Sequence, residues 1–283
     1  MTRLTGSSGS VEPRAGDRIP ILETQTLTRR FGKITAVDGL TISVEPGEVF
    51  GLLGPNGAGK STAIKMLTTL LPTSSGRANI AGFDVTRQAA EVRRVIGYVP
   101  QALSADGTLT GYENLLIFAK LYDIPRRERE SRVRNALAFM GLQDAAERLV
   151  RQYSGGMIRR LEIAQSILHH PPVLFLDEPT VGLDPLARNA VWEMVTQLRI
   201  DYGTTIFLTT HFMEEADNLC DRVAIMHQGR VITIGTPADL KASLGKSGAT
   251  LDDVFIHYTG DQLTSGGSYR ETSRTRRTTQ RLG

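Results

Sequence analysis

Val49-Phe50-Gly51-Leu52-Leu53-Gly54-Pro55-Asn56-Gly57-Ala58-Gly59-Lys60-Ser61 is the stretch that decides the fold. Its first five residues form an apolar run of the kind found in strands covered on both faces. From Lys60 onward, Ser61, Ala63, Ile64, Met66 and Leu67 fall at helical spacing. A glycine-rich loop between a strand and a helix N-terminus is a cradle for nucleotide phosphates. Its glycines let backbone N–H groups crowd an anion, because no Cβ blocks the approach and unusual φ values carry little strain. The helix N-terminus adds partial positive charge on the same side. The expected phosphate-binding set is therefore Gly54, Pro55, Asn56, Gly57, Ala58, Gly59, Lys60 and Ser61, with Thr62 next on the helix. Lys60 is expected to reach the β- and γ-phosphates, and Ser61 to ligate Mg²⁺ through its hydroxyl.

A second apolar run, Val173-Leu174-Phe175-Leu176, ends in Asp177-Glu178-Pro179. Ligands of open α/β sheets gather at the carboxyl ends of strands, so both acids should emerge near the phosphates. Adjacent residues leaving a strand point in different directions and can divide the work. Asp177 suits Mg²⁺, directly or through water, and Glu178 suits polarising an attacking water. Alternating strand-like and helix-like stretches place the chain in the α/β class with a mostly parallel sheet. The 283 residues suffice for one large domain and a smaller subdomain.

Far downstream of the cradle, Tyr153-Ser154-Gly155-Gly156-Met157 opens an amphipathic helix through Ile158, Leu161, Ile163, Ala164 and Ile167, with Arg159 and Arg160 near its start. Ser154 is placed to cap it, and the glycines leave its N-terminus open to another anion. One ATP does not need two such sites in one fold. With this pair of motifs the chain resembles the nucleotide-binding subunits of ABC transporters, whose signature usually runs Leu-Ser-Gly-Gly-Gln. The resemblance implies a P-loop NTPase core, an antiparallel β subdomain and a helical subdomain, about 102–170, that carries the signature. It also implies a homodimer with two ATP molecules, in which Ser154, Gly155 and Gly156 reach the γ-phosphate held by the partner. Phe31 matches the aromatic that stacks on adenine. Gln101 matches the glutamine that touches Mg²⁺ and water and relays movement. Asp184, in Leu183-Asp184-Pro185, belongs to an interface loop, and His211 matches the histidine that contacts the γ-phosphate. Glu178, His211, Gln101 and Lys60 form the expected catalytic set; Ser61, Gln101 and Asp177 form the expected metal set. Met157 stands where glutamine is usual, and its thioether is only a weak acceptor. Activity should survive this change with an altered rate or coupling.

The resemblance extends over residues 21–247 as the ATP-binding domain. Residues 248–260, with Leu251, Val254, Phe255 and Tyr258 on one helical face, are similar to the C-terminal motif of the daunorubicin/doxorubicin-resistance type of exporter ATPase. Met157–Ala164 is similar to the same subgroup. That likeness implies a separate multi-span permease as partner, efflux of a hydrophobic drug or secondary metabolite, and a peripheral position on the cytoplasmic face of the membrane. Thr108–Asn114 is the candidate contact with the permease, or simply a capping loop. ATPases for other cargo, whether exported or imported, and soluble non-transport relatives are the alternatives. No apolar run approaches the ~20 residues that span a bilayer, and Met1–Pro20 is polar, without a signal pattern. Cys220 is alone and can form no internal disulfide. The net charge of +3 is concentrated at the C-terminus. Residues 270–283 hold five arginines against Glu271, a surplus of four, which leaves the rest at −1. A near-neutral body argues against nucleic acid as a partner. The segments 1–20 and 261–283 are expected to be disordered, and the basic tail could attract anionic lipid.

Overall fold

A computed structural model of the chain describes residues 19–260. The expectations for the N-terminal segment and the basic tail fall mainly on residues 1–18 and 261–283, outside the described residues. The chain opens with strands β1 (Leu22–Phe31) and β2 (Ile34–Val44), then β3 (Val49–Leu53) and helix α1 (Lys60–Leu67). Next come β4 (Ser75–Ile80), β5 (Phe83–Asp84), α2 (Ala89–Val95) and β6 (Ile96–Val99). Helices α3 (Gly111–Leu121), α4 (Arg126–Phe139) and α5 (Gly155–Ile167) follow. The core resumes with β7 (Val173–Asp177), α6 (Pro185–Tyr202), β8 (Thr205–Thr210), α7 (Met213–Leu219), β9 (Arg222–His227) and β10 (Arg230–Gly235). Short helices α8 (Pro237–Ala242) and α9 (Leu251–Thr259) complete the described chain.

Two sheets organise these elements. One is antiparallel with order β2-β1-β4-β5; the other has order β10-β9-β3-β8-β7-β6. In the larger sheet β9, β3, β8, β7 and β6 are parallel, and β10 is an antiparallel edge. Successive residues of a strand point to opposite faces, and the core divides accordingly. Val49, Leu53, Leu174, Leu176, Ile206 and Leu208 pack with the helices α3 to α6 on one side. Phe50, Leu52, Phe175, Phe207 and Met226 pack with α1 and the antiparallel sheet on the other. On that face Phe207 stacks on Phe50 at 5.6 Å and lies 5.5 Å from Phe175, its register partners on both sides. Such cross-strand aromatic pairs add to burial in fixing register.

This topology sets the site. Because β3, β6, β7 and β8 run parallel, their exits share one edge of the sheet, with β8 between β3 and β7. The glycine-rich loop leaves β3, Gln101 follows β6, Asp177 ends β7 and His211 follows β8. The helical insert α3–α5 is built between β6 and β7. Its opening turn is a capping box at Thr110 and Glu113, and buried Asn114 ties the preceding loop through Asp106. Thr108–Asn114 thus includes the capping loop that the sequence allowed. At the other end α9 buries Leu251, Val254 and Phe255 against the body, while Tyr258 is 40% exposed. The sequence had placed Tyr258 on the same helical face as these three; its ring instead meets His257 edge-on.

Candidate nucleotide site

The glycine-rich loop closes on itself through backbone geometry that only glycine serves. Gly54 and Gly59 have φ of 153° and 107°. A Cβ on Gly54 would collide with the Met226 carbonyl oxygen, and one on Gly59 with that of Ala36. The loop is therefore pressed against β9 and β2, with no space for side chains behind it. Gly59 caps α1, whose first residue, Lys60, is buried. Its Nζ donates to the carbonyls of Gly54 at 2.7 Å and Pro55 at 3.2 Å, and pairs with Glu178 Oε1 at 3.1 Å. Asn56, Gly57, Gly59, Lys60, Ser61 and Thr62 line one open cavity together with Gln101 and Glu178.

The two acids at the end of β7 do separate as their alternation requires. Asp177 Oδ1 accepts from Ser61 Oγ at 3.1 Å and from Thr209 Oγ1 at 2.6 Å. Glu178 instead faces Lys60 and His211, whose Nδ1 donates to Oε2 at 2.6 Å. Burial alone would raise the Glu178 pKa, but His211 and Lys60 outweigh it and hold the carboxyl below its ordinary range. The residue sits at φ 52°, a left-handed conformation that costs a non-glycine residue about 1–3 kcal/mol. Its N–H is fixed there by both the hydroxyl and the carbonyl of Thr209, at 3.0 and 3.1 Å. Thr209 is thus a site residue that the sequence reading passed over. The signal available was a pair of hydroxyls, Thr209 and Thr210, closing β8 after the apolar Ile206–Leu208, with Thr209 in register with Asp177. Thr209→Val removes the donor to a buried carboxylate and is expected to lower unfolding free energy by about 1–3 kcal/mol; urea denaturation measures it.

The remaining residues assigned from sequence lie outside this cavity. Phe31 is 45% exposed at the end of β1, with the Arg29 guanidinium 4.5 Å from its ring centroid. Asp184 caps α6, its Oδ1 accepting from the Ala187 N–H at 2.9 Å. Ser154 caps α5, its Oγ accepting from Met157 N–H at 3.3 Å. Ser154 and Gly155 are exposed, and none of Ser154, Gly155 and Gly156 lines the cradle cavity. A Cβ on Gly156 would stand 2.8 Å from Ala187 Cβ, so this glycine lets α5 start close against α6. The Tyr153 ring is buried, and its hydroxyl donates to Ala145 O at 2.6 Å. Met157 packs on the helical side of the core. Both departures from the usual signature are therefore packed within this chain. A second feature missed from sequence is Arg159, fully buried behind the cavity and bonded to the backbone on both sides of it.

A cradle at the head of a parallel sheet, an acid pair at the next strand end but one, and a helical insert whose last helix opens on a capped glycine pair define a P-loop ATPase with its own signature-bearing insert. Residues 37–181 match the family model described as ABC transporter. The chain belongs to the ABC transporter family. It is 49% identical over 226 residues to the daunorubicin/doxorubicin resistance ATP-binding protein DrrA of Streptomyces peucetius, covering 80% of this chain and 68% of that protein. It is 42% identical over 225 residues to the linearmycin resistance ATP-binding protein LnrL of Bacillus subtilis, covering 80% and 72%. A solved ATP-binding subunit of an ABC transporter matches with a TM-score of 0.75 at 32% identity, over 84% of this chain and 99% of that one. The chain is an ATP-binding ABC ATPase, similar to ATP-binding proteins of drug resistance.

Proposed function

We propose that two copies of this chain clamp two ATP molecules and drive export of a hydrophobic drug or secondary metabolite through a separate multi-span permease. The observation that carries the clamp is the placement of the signature. Ser154 and Gly155 are exposed at the N-terminus of a thirteen-residue helix, and neither lines the cavity of its own cradle. An open helix N-terminus favours negative charge, and a second subunit's γ-phosphate is the ligand this arrangement suits. Phe31 offers an exposed ring for adenine. Lys60 and the loop amides hold the phosphates. Ser61 and Asp177, one hydroxyl and one carboxylate 3.1 Å apart, fit Mg²⁺, which keeps waters and takes few protein ligands beside phosphate oxygens. When bound, that ion would neutralise charge developing on the phosphates.

The chain's own groups account for the chemistry around it. Glu178, ionised and anchored by Lys60 and His211, orients the attacking water and accepts its proton. His211, with Nδ1 donating to Glu178, keeps that carboxylate aimed and presents its other edge to the γ-phosphate. Gln101, exposed at the cavity rim just after β6, senses the phosphate and faces the surface on which a membrane partner would press. No described helix is long and apolar enough to cross a membrane, so the cargo path is assigned to another chain. The drug or metabolite cargo rests on the likeness to the two resistance proteins. Purification of the tagged chain from detergent-solubilised membranes tests the partner: a stoichiometric multi-span protein is expected. Recovery only from the soluble fraction, with ribosomes or DNA, would contradict the exporter while leaving the ATPase intact.

A further inference from the structure

We infer that the buried Arg159–Glu162 pair is a positioning device that fixes the Gln101 segment and the Glu178 segment relative to one another and so sets the rate of hydrolysis. Arg159 lies five residues into the signature helix, about 7.5 Å from Ser154 at 1.5 Å per residue. Its side chain is only 2% exposed. The guanidinium divides its donors between two loops. Towards the exit of β6, Nη1 donates to Pro100 O at 2.6 Å and Nη2 to Gln101 O at 3.3 Å. Towards the exit of β7, Nε donates to Pro179 O at 2.8 Å and Nη2 to Glu178 O at 3.3 Å. The remaining Nη1 contact, at 3.1 Å, is to Glu162 Oε2 one helical turn along.

Glu162 completes the tie from the other side. Its Oε1 accepts from the Ser104 N–H, from Ser104 Oγ at 3.1 Å and from the Ala105 N–H at 3.4 Å. The segment after Gln101 is thus gripped by its carbonyls at 100 and 101 and by its amides at 104 and 105. Neither charge touches the cavity that holds the nucleotide groups. A buried ion pair is seldom worth more to stability than well-packed apolar residues of the same volume. Stability alone therefore leaves the pair unexplained. Geometry supplies a reason: a planar fork spans two backbones at once, which a point charge cannot do. Because the fork stands on the helix that Ser154 caps, any shift of that helix moves the Gln101 and Glu178 carbonyls together. This inference rests on Gln101 and Glu178 acting at the nucleotide, as proposed above.

The test compares the full-length wild type with R159K, with R159M/E162L and with E178Q as control. R159K keeps a cation beside Glu162 but cannot span both loops. The double variant removes both charges and leaves no buried charge unpaired. Turnover of Mg-ATP is expressed per ATP-binding site, with site number and affinity measured for ATP in EDTA. Displacing reacting groups by about an ångström costs on the order of 100-fold, so kcat is expected to fall at least ~10-fold in both variants, with the ATP Kd held within about 2-fold. Hydrogen exchange of the Ser104 and Ala105 amides should quicken in the double variant. Wild-type kcat per site in either variant overturns the inference, as does a loss of activity that only follows loss of binding sites. Wild-type turnover left intact by E178Q would instead overturn the Glu178 assignment, so the two failures are distinguishable.

Discussion

Glu178→Gln is expected to lower kcat for ATP hydrolysis by about 100- to 1,000-fold while leaving ATP affinity close to that of the wild type. The loss corresponds to roughly 3–4 kcal/mol of barrier, within the range of a removed general base. The amide is nearly isosteric with the carboxylate. Its oxygen can still accept from Lys60 Nζ, now 3.1 Å from Oε1, and its nitrogen can face His211 Nδ1. What it cannot do is take a proton or hold a negative charge against the water. Because His211 and Lys60 keep the Glu178 pKa below its ordinary 4.5, the carboxylate stabilises the native state above that value and loses this contribution as pH falls through its folded pKa. The gap in Tm between wild type and E178Q should accordingly be widest above pH 4.5 and narrow below it. A stopped-time phosphate-release assay and a pH series of melting curves check the two halves.

Lys60→Ala is expected to fail earlier, at binding. Lys60 donates to two loop carbonyls and pairs with a buried carboxylate. Phosphates entering the cradle would draw this ammonium to themselves, and alanine leaves only backbone amides and the helix terminus to hold them. The ATP Kd should rise by about 10- to 100-fold, or roughly 1.4–2.7 kcal/mol. The substitution also strips Glu178 of its cation in a buried place, and breaking a buried pair from one side costs about 3–5 kcal/mol; His211 moderates that figure here. Calorimetric titration with ATP and a denaturant curve separate the two effects. Wild-type affinity in K60A would remove the cradle assignment.

Much of the fold was legible because a buried parallel strand has an unmistakable pattern. Val49–Leu53 and Val173–Leu176 are apolar throughout, and each runs straight into the chemistry it delivers. Once β3, β7 and β8 are parallel neighbours, the cradle, Glu178 and His211 must meet, and sequence order alone brings them to one edge. The antiparallel sheet was less readable. β1 pairs β2 with repeated register shifts, which blur a strict alternation, and its presence was implied by resemblance rather than by period. Charged residues on α5 were the least readable of all. Arg159 and Arg160 are adjacent and chemically identical in sequence, yet 100° of helical rotation buries one in the protein. Arg160 instead reaches Met140 O at 3.0 Å from a half-buried position. Nothing in their spacing tells which of them faces inward; only the loops after β6 and β7 do. Thr209 escaped for a related reason, since its importance lies in a cross-strand register that no single segment contains.

The exposed signature, standing apart from the open cradle of its own chain, leads to one central claim, that catalysis occurs between two copies of the chain. It is tested most directly by the solution mass of purified E178Q, measured by light scattering with and without saturating Mg-ATP. The expected result is a monomer without nucleotide and a particle of twice the chain mass with it. A monomer under both conditions, in protein shown to bind ATP, would contradict the clamp.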